Sequence, residues 1–292
     1  MCAKQVTKKP AEVETTGHVW DGIEELNNPL PRWWLWTFYA TIIWALGYSI
    51  AYPAWPLLTK ATPGLLGAST RADVAVEIAR FDAANAGIKA ELVSATLADV
   101  PANPDLLSFA QNAGAAVFRT NCSTCHGSGA AGVEGKGYPN LLDDDWLWGG
   151  DLDSIYLTVA HGIRNTTDDD ARYSQMPAYG VDEVLDGQQI SEVVEFVLQM
   201  SGQDHDATLA SAGAVIYDEN CAACHLEAGE GNRDLGAPTL NDAIWLYGGS
   251  REAVTYSVVN ARFGVMPNWN TKLSEDEIRA VSLYVHSLGG GE

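Results

Sequence analysis

Asn121-Cys122-Ser123-Thr124-Cys125-His126-Gly127 is the stretch that decides how this 292-residue chain is read. Two thiols three positions apart, followed at once by an imidazole, form the attachment signature of a c-type haem. The thiols add to the two vinyl groups of one porphyrin, and the histidine is held beneath the iron as proximal ligand. A single copy would also suit a zinc or thiol-redox site. A second copy, Cys221-Ala222-Ala223-Cys224-His225, lies 99 residues further on. The repetition points to two covalently bound haem c groups, on Cys122, Cys125, Cys221 and Cys224, with His126 and His225 as proximal ligands.

The duplication reaches beyond the motifs. Asn112-Ala113-Gly114-Ala115-Ala116-Val117-Phe118 falls on Ser211-Ala212-Gly213-Ala214-Val215-Ile216-Tyr217, and Pro139-Asn140-Leu141 on Pro238-Thr239-Leu240. Trp146-Leu147-Trp148-Gly149-Gly150 falls on Trp245-Leu246-Tyr247-Gly248-Gly249. The Met-Pro pairs Met176-Pro177 and Met266-Pro267 break this shift by nine residues, which places an insertion at about Asn165 to Ser174. A repeat of this length predicts two homologous domains. Leu106, Phe109, Ala113 and Val117 recur at helical spacing before the first motif. Ile190, Val193, Val194, Val197 and Leu198 mark one closing helix, and Ile278, Val281, Val285 and Leu288 the other. Ser274 and Glu277 form a capping box at the start of the latter. Terminal helices packed around a haem resemble the cytochrome c fold; periodicity alone gives amphipathic helices.

A six-coordinate iron suits electron transfer, whereas an open position suits dioxygen or peroxide chemistry. Of the four methionines, Met176 and Met266 occupy matched places in loop-like sequence before Pro and are the candidate sixth ligands, one per repeat. Met200 follows an apolar face and reads as core. His161 competes for the first iron, but Asn260 stands at its shifted position. A helix-end or propionate contact is the other reading of His161. Resemblance to cytochromes of this type implies that Pro139 and Pro238 offer backbone carbonyls to the proximal imidazoles. Trp146 and Trp245 line a haem edge or simply pack, and Arg164 and Arg262 are candidate propionate partners. His18, His205 and His286 fall outside the pattern.

Trp33 to Tyr52 is 20 residues without a charge, enough to span ~30 Å as a helix. Trp33, Trp34 and Trp36 crowd one end and Tyr48, Tyr52 and Trp55 the other, in the manner of an interfacial belt. Pro53 and Pro56 stop the helix. The polar stretch before it and its length favour an uncleaved anchor over a signal peptide. The expected order is a cytoplasmic tail 1–32, an anchor 33–58, a helical connector 59–104 and haem domains 105–203 and 204–292. The fold class expected is all-α: one N-terminal transmembrane helix, then two tandem cytochrome c-type domains. Because c-type haem is attached outside the bacterial inner membrane, the haem domains are expected in the periplasm and the N-terminus in the cytoplasm. Cys2, the cysteine outside the motifs, reads as a free or buried thiol. In the connector, Val74, Ile78 and Phe81 share a helical face that is expected to pack on another protein or on the haem domains.

Beyond residue 60 the chain has 33 Asp/Glu against 12 Lys/Arg. That sign excludes nucleic acid as a partner. It favours fast, salt-sensitive encounter with a basic cytochrome c, soluble or membrane-attached; a solubilising acidic surface is the plainer reading.

The segment Gly17-His18-Val19-Trp20-Asp21-Gly22-Ile23-Glu24-Glu25-Leu26-Asn27-Asn28-Pro29-Leu30-Pro31-Arg32-Trp33-Trp34, with the anchor, connector and tandem haem motifs, resembles the di-haem subunit III of cbb3-type cytochrome c oxidases. The resemblance implies a non-catalytic electron-transfer subunit. It would take electrons from periplasmic cytochrome c and pass them to the mono-haem cytochrome subunit and the catalytic haem–copper subunit. Dioxygen reduction and proton pumping occur in the catalytic subunit. A free-standing membrane-anchored shuttle and a di-haem peroxidase are the alternatives; the peroxidase requires His161 ligation or an open iron.

Overall fold

The computed structural model describes residues 14–292 and forms two compact units that meet in sequence at Ala83 and Ala84. Cys2 lies outside the described residues.

The first unit opens with an element that the all-α expectation did not contain. Strands β1 (Thr15–Trp20) and β2 (Ile23–Leu26) pair antiparallel, with Trp20 opposite Ile23 and Val19 opposite Glu24. Asp21-Gly22 makes the turn, and both residues have positive φ, 51° and 84°. That is the primed-turn geometry whose twist matches a hairpin. Helix α1 (Arg32–Ala51) follows, starting where Pro31 pre-sets the backbone. None of its residues is buried. Its Thr and Ser hydroxyls are turned back onto helix carbonyls: Thr37 donates to Trp33 O, Thr41 to Phe38 O and Ser49 to Leu46 O. By length and mean hydropathy, no helix among the described residues is long and apolar enough to cross a membrane.

Helix α2 (Thr70–Ser94) runs through the boundary between the units. Up to Ala83 its apolar side chains Val74, Ile78 and Phe81 stay exposed. Past it, Ile88 and Leu92 enter a cluster with Leu97, Val100, Leu106, Ala110, Ala280 and Leu283. The connector therefore packs on the haem region through its last turns.

The second unit is helical: α3 (Pro104–Val117), α4 (Ser123–His126), α5 (Leu152–His161), α6 (Gly187–Met200), α7 (Ala207–Asn220), α8 (Ala222–His225), α9 (Arg251–Asn260) and α10 (Glu275–His286). Asn103 caps α3, with Pro104 at its first position. Asp186 with Gln189 and Ser274 with Glu277 make capping boxes on α6 and α10, the latter as expected. The first motif continues α3 through a π turn, Phe118–Cys122.

The helices do not pair as two contiguous domains. Helix α10, from the end of the second repeat, packs on α3 and α5 of the first. Helix α6, from the end of the first repeat, packs on α7 and α9 of the second. One core joins Val117, Phe118, Ile155 and Val159 with Ile278, Val281 and Val285. The other joins Ile190, Val193, Val194, Val197 and Leu198 with Ile216, Tyr217, Val254 and Val258. The division at 203/204 expected from the repeat is thus crossed by the packing. The physical reason is the short link Ser201–Asp206 between α6 and α7. So short a connection makes consecutive helices antiparallel neighbours.

A buried carboxylate locks this pairing. Glu195, 6% exposed, accepts from Arg251 Nε and Nη2 at 2.5 and 3.1 Å and from the Asp206 N–H at 2.7 Å. The Arg251 hydrogen bonds, ahead of the other contacts, hold its carboxyl below the ordinary 4.5. The folded chain therefore binds that proton less readily than the unfolded one. The stability this contributes is present above the ordinary value and is lost as pH falls through the lower folded value. Glu195→Gln is expected to lower unfolding free energy at pH 7 by about 1–2 kcal/mol, since water around Arg251 screens part of the pair. It should also flatten the acid limb of stability against pH. Guanidinium titrations at several pH values check this; an unaltered acid limb would assign that limb to other carboxylates.

Candidate functional site

Each motif presents a histidine in the same way. His126 Nδ1 lies 3.3 Å from Pro139 O, and His225 Nδ1 lies 2.9 Å from Pro238 O. A carbonyl only accepts, so Nδ1 carries the hydrogen and Nε2 keeps its lone pair for a metal. Burial lowers both imidazole pKa values, the proline contact opposing it. Neutral rings are what iron requires. The four described cysteines are free. Burial pushes the Cys122 and Cys221 thiols up to about 11, unlike the low-pKa thiolate of a redox dithiol.

A deep, mainly apolar cavity opens over His225. Cys221, Cys224, His225 and Trp245 line it from the second repeat, and Met176, Pro177 and Tyr179 from the first. Met266 takes no part in it. It packs instead against the buried cluster of Val117, Phe118, Ile155 and Val159 beside the first motif, the cluster that Cys122 and Trp146 also pack against. Both methionines therefore lie beside a haem motif, but each beside the one in the other repeat.

Other expected residues sort as follows. His161, at the end of α5, places Nδ1 3.0 Å from Asp168 Oδ2 and is absent from the first core. Met200 packs against the second core, as expected. Trp146 Nε1 donates to Gly290 O at 2.5 Å and packs in the first core, while Trp245 lines the second cavity. His205 and His286 bind backbone carbonyls of Gln203 and Glu292; His18 sits on β1. The inserted stretch buttresses the loop that carries Met266. Asn165 Nδ2 reaches Met266 O at 3.4 Å, and Thr167 Oγ1 donates to Asn268 at 2.7 Å.

Arg172 is a site residue that sequence comparison of Arg164 with Arg262 does not find. The spatial counterpart of Arg262 is Arg172. Arg262 lies 4.9 Å over the Tyr247 ring, and Arg172 lies 5.4 Å over the Trp148 ring at the equivalent place. The nine-residue break located by the Met-Pro pairs is the signal that could have found it. Trp148 Nε1 and Arg172 Nε are buried without a hydrogen-bond partner. Two orphaned donors side by side fit an anionic group at the first site, such as a haem carboxylate. The donor set, the apolar cavity and these orphans together fit a haem c at each motif.

Comparison with known proteins agrees. Residues 12–59 match the model of the N-terminal domain of FixP of cbb3 cytochrome oxidase. Residues 111–201 match cytochrome c, and residues 208–285 match subunit III of cbb3-type cytochrome c oxidase. A cbb3-type cytochrome c oxidase subunit CcoP of Cereibacter sphaeroides is 66% identical over 292 residues, covering 100% of both chains. The chain belongs to the CcoP/FixP family of cbb3-type cytochrome c oxidase subunits. A CcoP of Rhodobacter capsulatus is 55% identical over 301 residues, covering 100% of both chains. A FixP of Sinorhizobium medicae is 50% identical over 280, covering 96% of each. As a CcoP/FixP chain it carries two covalently bound haem c groups and has an electron-transfer role. The family's N-terminal segment coincides with the β1–β2 hairpin and α1, and its two cytochrome c segments with the two repeats.

Proposed function

We propose that this chain is the di-haem electron relay of a membrane-bound cbb3-type oxidase. It would accept electrons from a basic periplasmic or membrane-attached cytochrome c and deliver them toward the mono-haem and catalytic haem–copper subunits. The observation that carries this reading is the matched pair of sites, each with a neutral His held through Nδ1 by a prolyl carbonyl and a Met thioether beside it. Bound haem c supplies one-electron carriage at each site. Cys122, Cys125, Cys221 and Cys224 hold it covalently. His126 and His225 would supply Nε2 in fixed orientation, and Met176 and Met266 would supply the sixth ligands. With both ligands in place, neither iron would have an open position for dioxygen or peroxide. His161, held by Asp168, is accordingly assigned to structure, against the peroxidase reading.

Helix α1 is read as the single anchor, with the tail on the cytoplasmic side and the haem region in the periplasm. Its support is an uncharged run from Trp33 to Tyr52, no residue buried against the protein, and Thr and Ser hydroxyls satisfied within the helix. Trp33, Trp34 and Trp36 at one end and Tyr48 at the other, which lower its mean hydropathy, stand where the bilayer interface favours them, while Tyr39 and Trp44 lie within the span. The exposed hairpin with Val19, Trp20, Ile23 and Leu26 then docks the anchor on its oxidase neighbours.

Extraction in mild detergent, purification through this chain and mass spectrometry test the assignment. Co-recovery of a multi-helix haem–copper subunit and a mono-haem cytochrome is expected, with two haem c per copy of this chain by pyridine haemochrome. Recovery of the chain alone with both haems would move the assignment to a free-standing shuttle.

A further inference from the structure

We propose that His161, Asp168 and Asp170 form a divalent-metal site of the zinc class on the insertion of the first repeat. The site lies outside both haem motifs and is independent of the relay reading.

Three segments of the chain converge there. His161 is the last residue of α5. Asp168 and Asp170 belong to the insertion that breaks the register of the two repeats. Asn270, in the loop that leads into α10, closes the third side. One imidazole nitrogen and one oxygen from each carboxylate all lie within 4.8 Å of one another. His161 Nδ1 is 3.2 and 3.0 Å from Asp168 Oδ1 and Oδ2. Two ligand atoms held at about 2.0–2.2 Å by one zinc stand roughly 3.0–3.4 Å apart. The His161–Asp168 pair is thus already at metal-binding separation. Asp170 is exposed, so a change of rotamer can bring its oxygen the remaining distance.

The carboxylate that faces the imidazole is oriented from behind. Asp168 Oδ1 accepts from the Asp170 N–H at 2.9 Å, and Oδ2 from Asn270 Nδ2 at 2.6 Å. Outer hydrogen bonds of this kind fix the direction of a ligand. The His161 and Asp168 side chains are only 24% and 9% exposed, while Asp170 stands in solvent. The pair forms a shielded floor and Asp170 the mouth, a three-ligand arrangement that leaves a further position to water.

The donor set selects the cation. Nδ1 presents a hydrogen to Asp168, and a metal ion would take the place of that proton. Two carboxylates held close together repel, which favours a cation between them. The imidazole favours zinc, copper or nickel, whereas magnesium and calcium prefer oxygen alone. One nitrogen and two carboxylate oxygens, with water as fourth ligand, suit tetrahedral zinc. The second repeat supplies the contrast within the same chain. Helix α9 ends at Asn260, whose Nδ2 turns back to Tyr256 O at 3.0 Å, and no acidic residue follows before Glu275. A bound ion would pin the end of α5, the insertion and the loop before α10 together. Zinc is therefore expected to raise the melting temperature of the chain.

The test titrates zinc into the intact two-haem chain by calorimetry and reads its ligands by zinc K-edge X-ray absorption. One zinc per chain is expected, bound by one imidazole and otherwise by oxygen. Asp170→Asn removes an exposed carboxylate and should weaken binding at least about tenfold, with loss of the zinc-dependent rise in melting temperature. Asp169→Asn makes the same change of charge one residue away and should leave both unaltered. His161→Gln should remove the imidazole from the absorption spectrum. Equal weakening by Asp169→Asn and Asp170→Asn would reduce the site to diffuse attraction by an acidic surface and overturn the proposal. So would a spectrum without imidazole, displacement of zinc by equimolar calcium, or zinc binding unaltered in both Asp170→Asn and His161→Gln.

Discussion

A chain ended after Gln203 is expected not to fold around its haem motif, although it retains the whole first repeat with Cys122, Cys125, His126, Met176 and α6. The missing α10 supplies Ile278, Val281, Leu283 and Val285, each no more than 5% exposed. At about 1.5–3 kcal/mol per buried aliphatic side chain, their loss removes roughly 6–12 kcal/mol. That is comparable with the entire stability of a domain, about 5–15 kcal/mol. Helix α6 is a poor substitute, because Glu195 would face Leu92 and Val100. The truncated chain should lack protease resistance and cooperative helical unfolding by circular dichroism. A truncated chain with a cooperative transition and a thioether charge-transfer band would show that the first repeat closes on itself.

The second large effect is at the helix crossings. Gly114 and Gly213 occupy equivalent places in the two repeats. A Cβ on Gly114 would be driven into the backbone carbonyl of Ala280 in α10, and one on Gly213 into that of Glu192 in α6. Neither obstacle is a side chain that can turn away, so the helices must part. Gly213→Val is expected to cost upward of ~3 kcal/mol, at the severe end of overpacking, and to lower the melting temperature of the second core. Gly187→Ala is the control: its Cβ would meet nothing within 4 Å, at the first position of α6. It should be neutral or slightly stabilising. Thermal unfolding followed by helicity and by haem absorbance distinguishes the two. A Gly213→Val chain that melts like the parent would show that α6 and α7 are not held at this distance.

Much of this chemistry is local and therefore legible in the sequence. A Cys-x-x-Cys-His run fixes two thiols and an imidazole on one turn whatever surrounds it. The proline 13 residues on from each His holds its Nδ1 at both sites. The amphipathic stripes of α6 and α10 name their buried residues, because helical periodicity depends only on spacing. The Asp21-Gly22 turn is equally local, yet resemblance to a family says nothing of the hairpin it makes. Arg172 escapes comparison of the repeats because the insertion displaces it from their register.

By itself, then, the sequence determined the haem chemistry, the duplication, the helices and their apolar faces. It left open which faces meet, because homologous helices carry near-equivalent stripes and periodicity cannot choose between them. Only the tertiary structure decided that α10 closes on α3 and α6 on α7, taking Met266 and Met176 with them. The physical causes are non-local in sequence: a link too short to separate α6 from α7, a carboxylate that finds its arginine 56 residues away, and glycines that admit one partner helix to close contact.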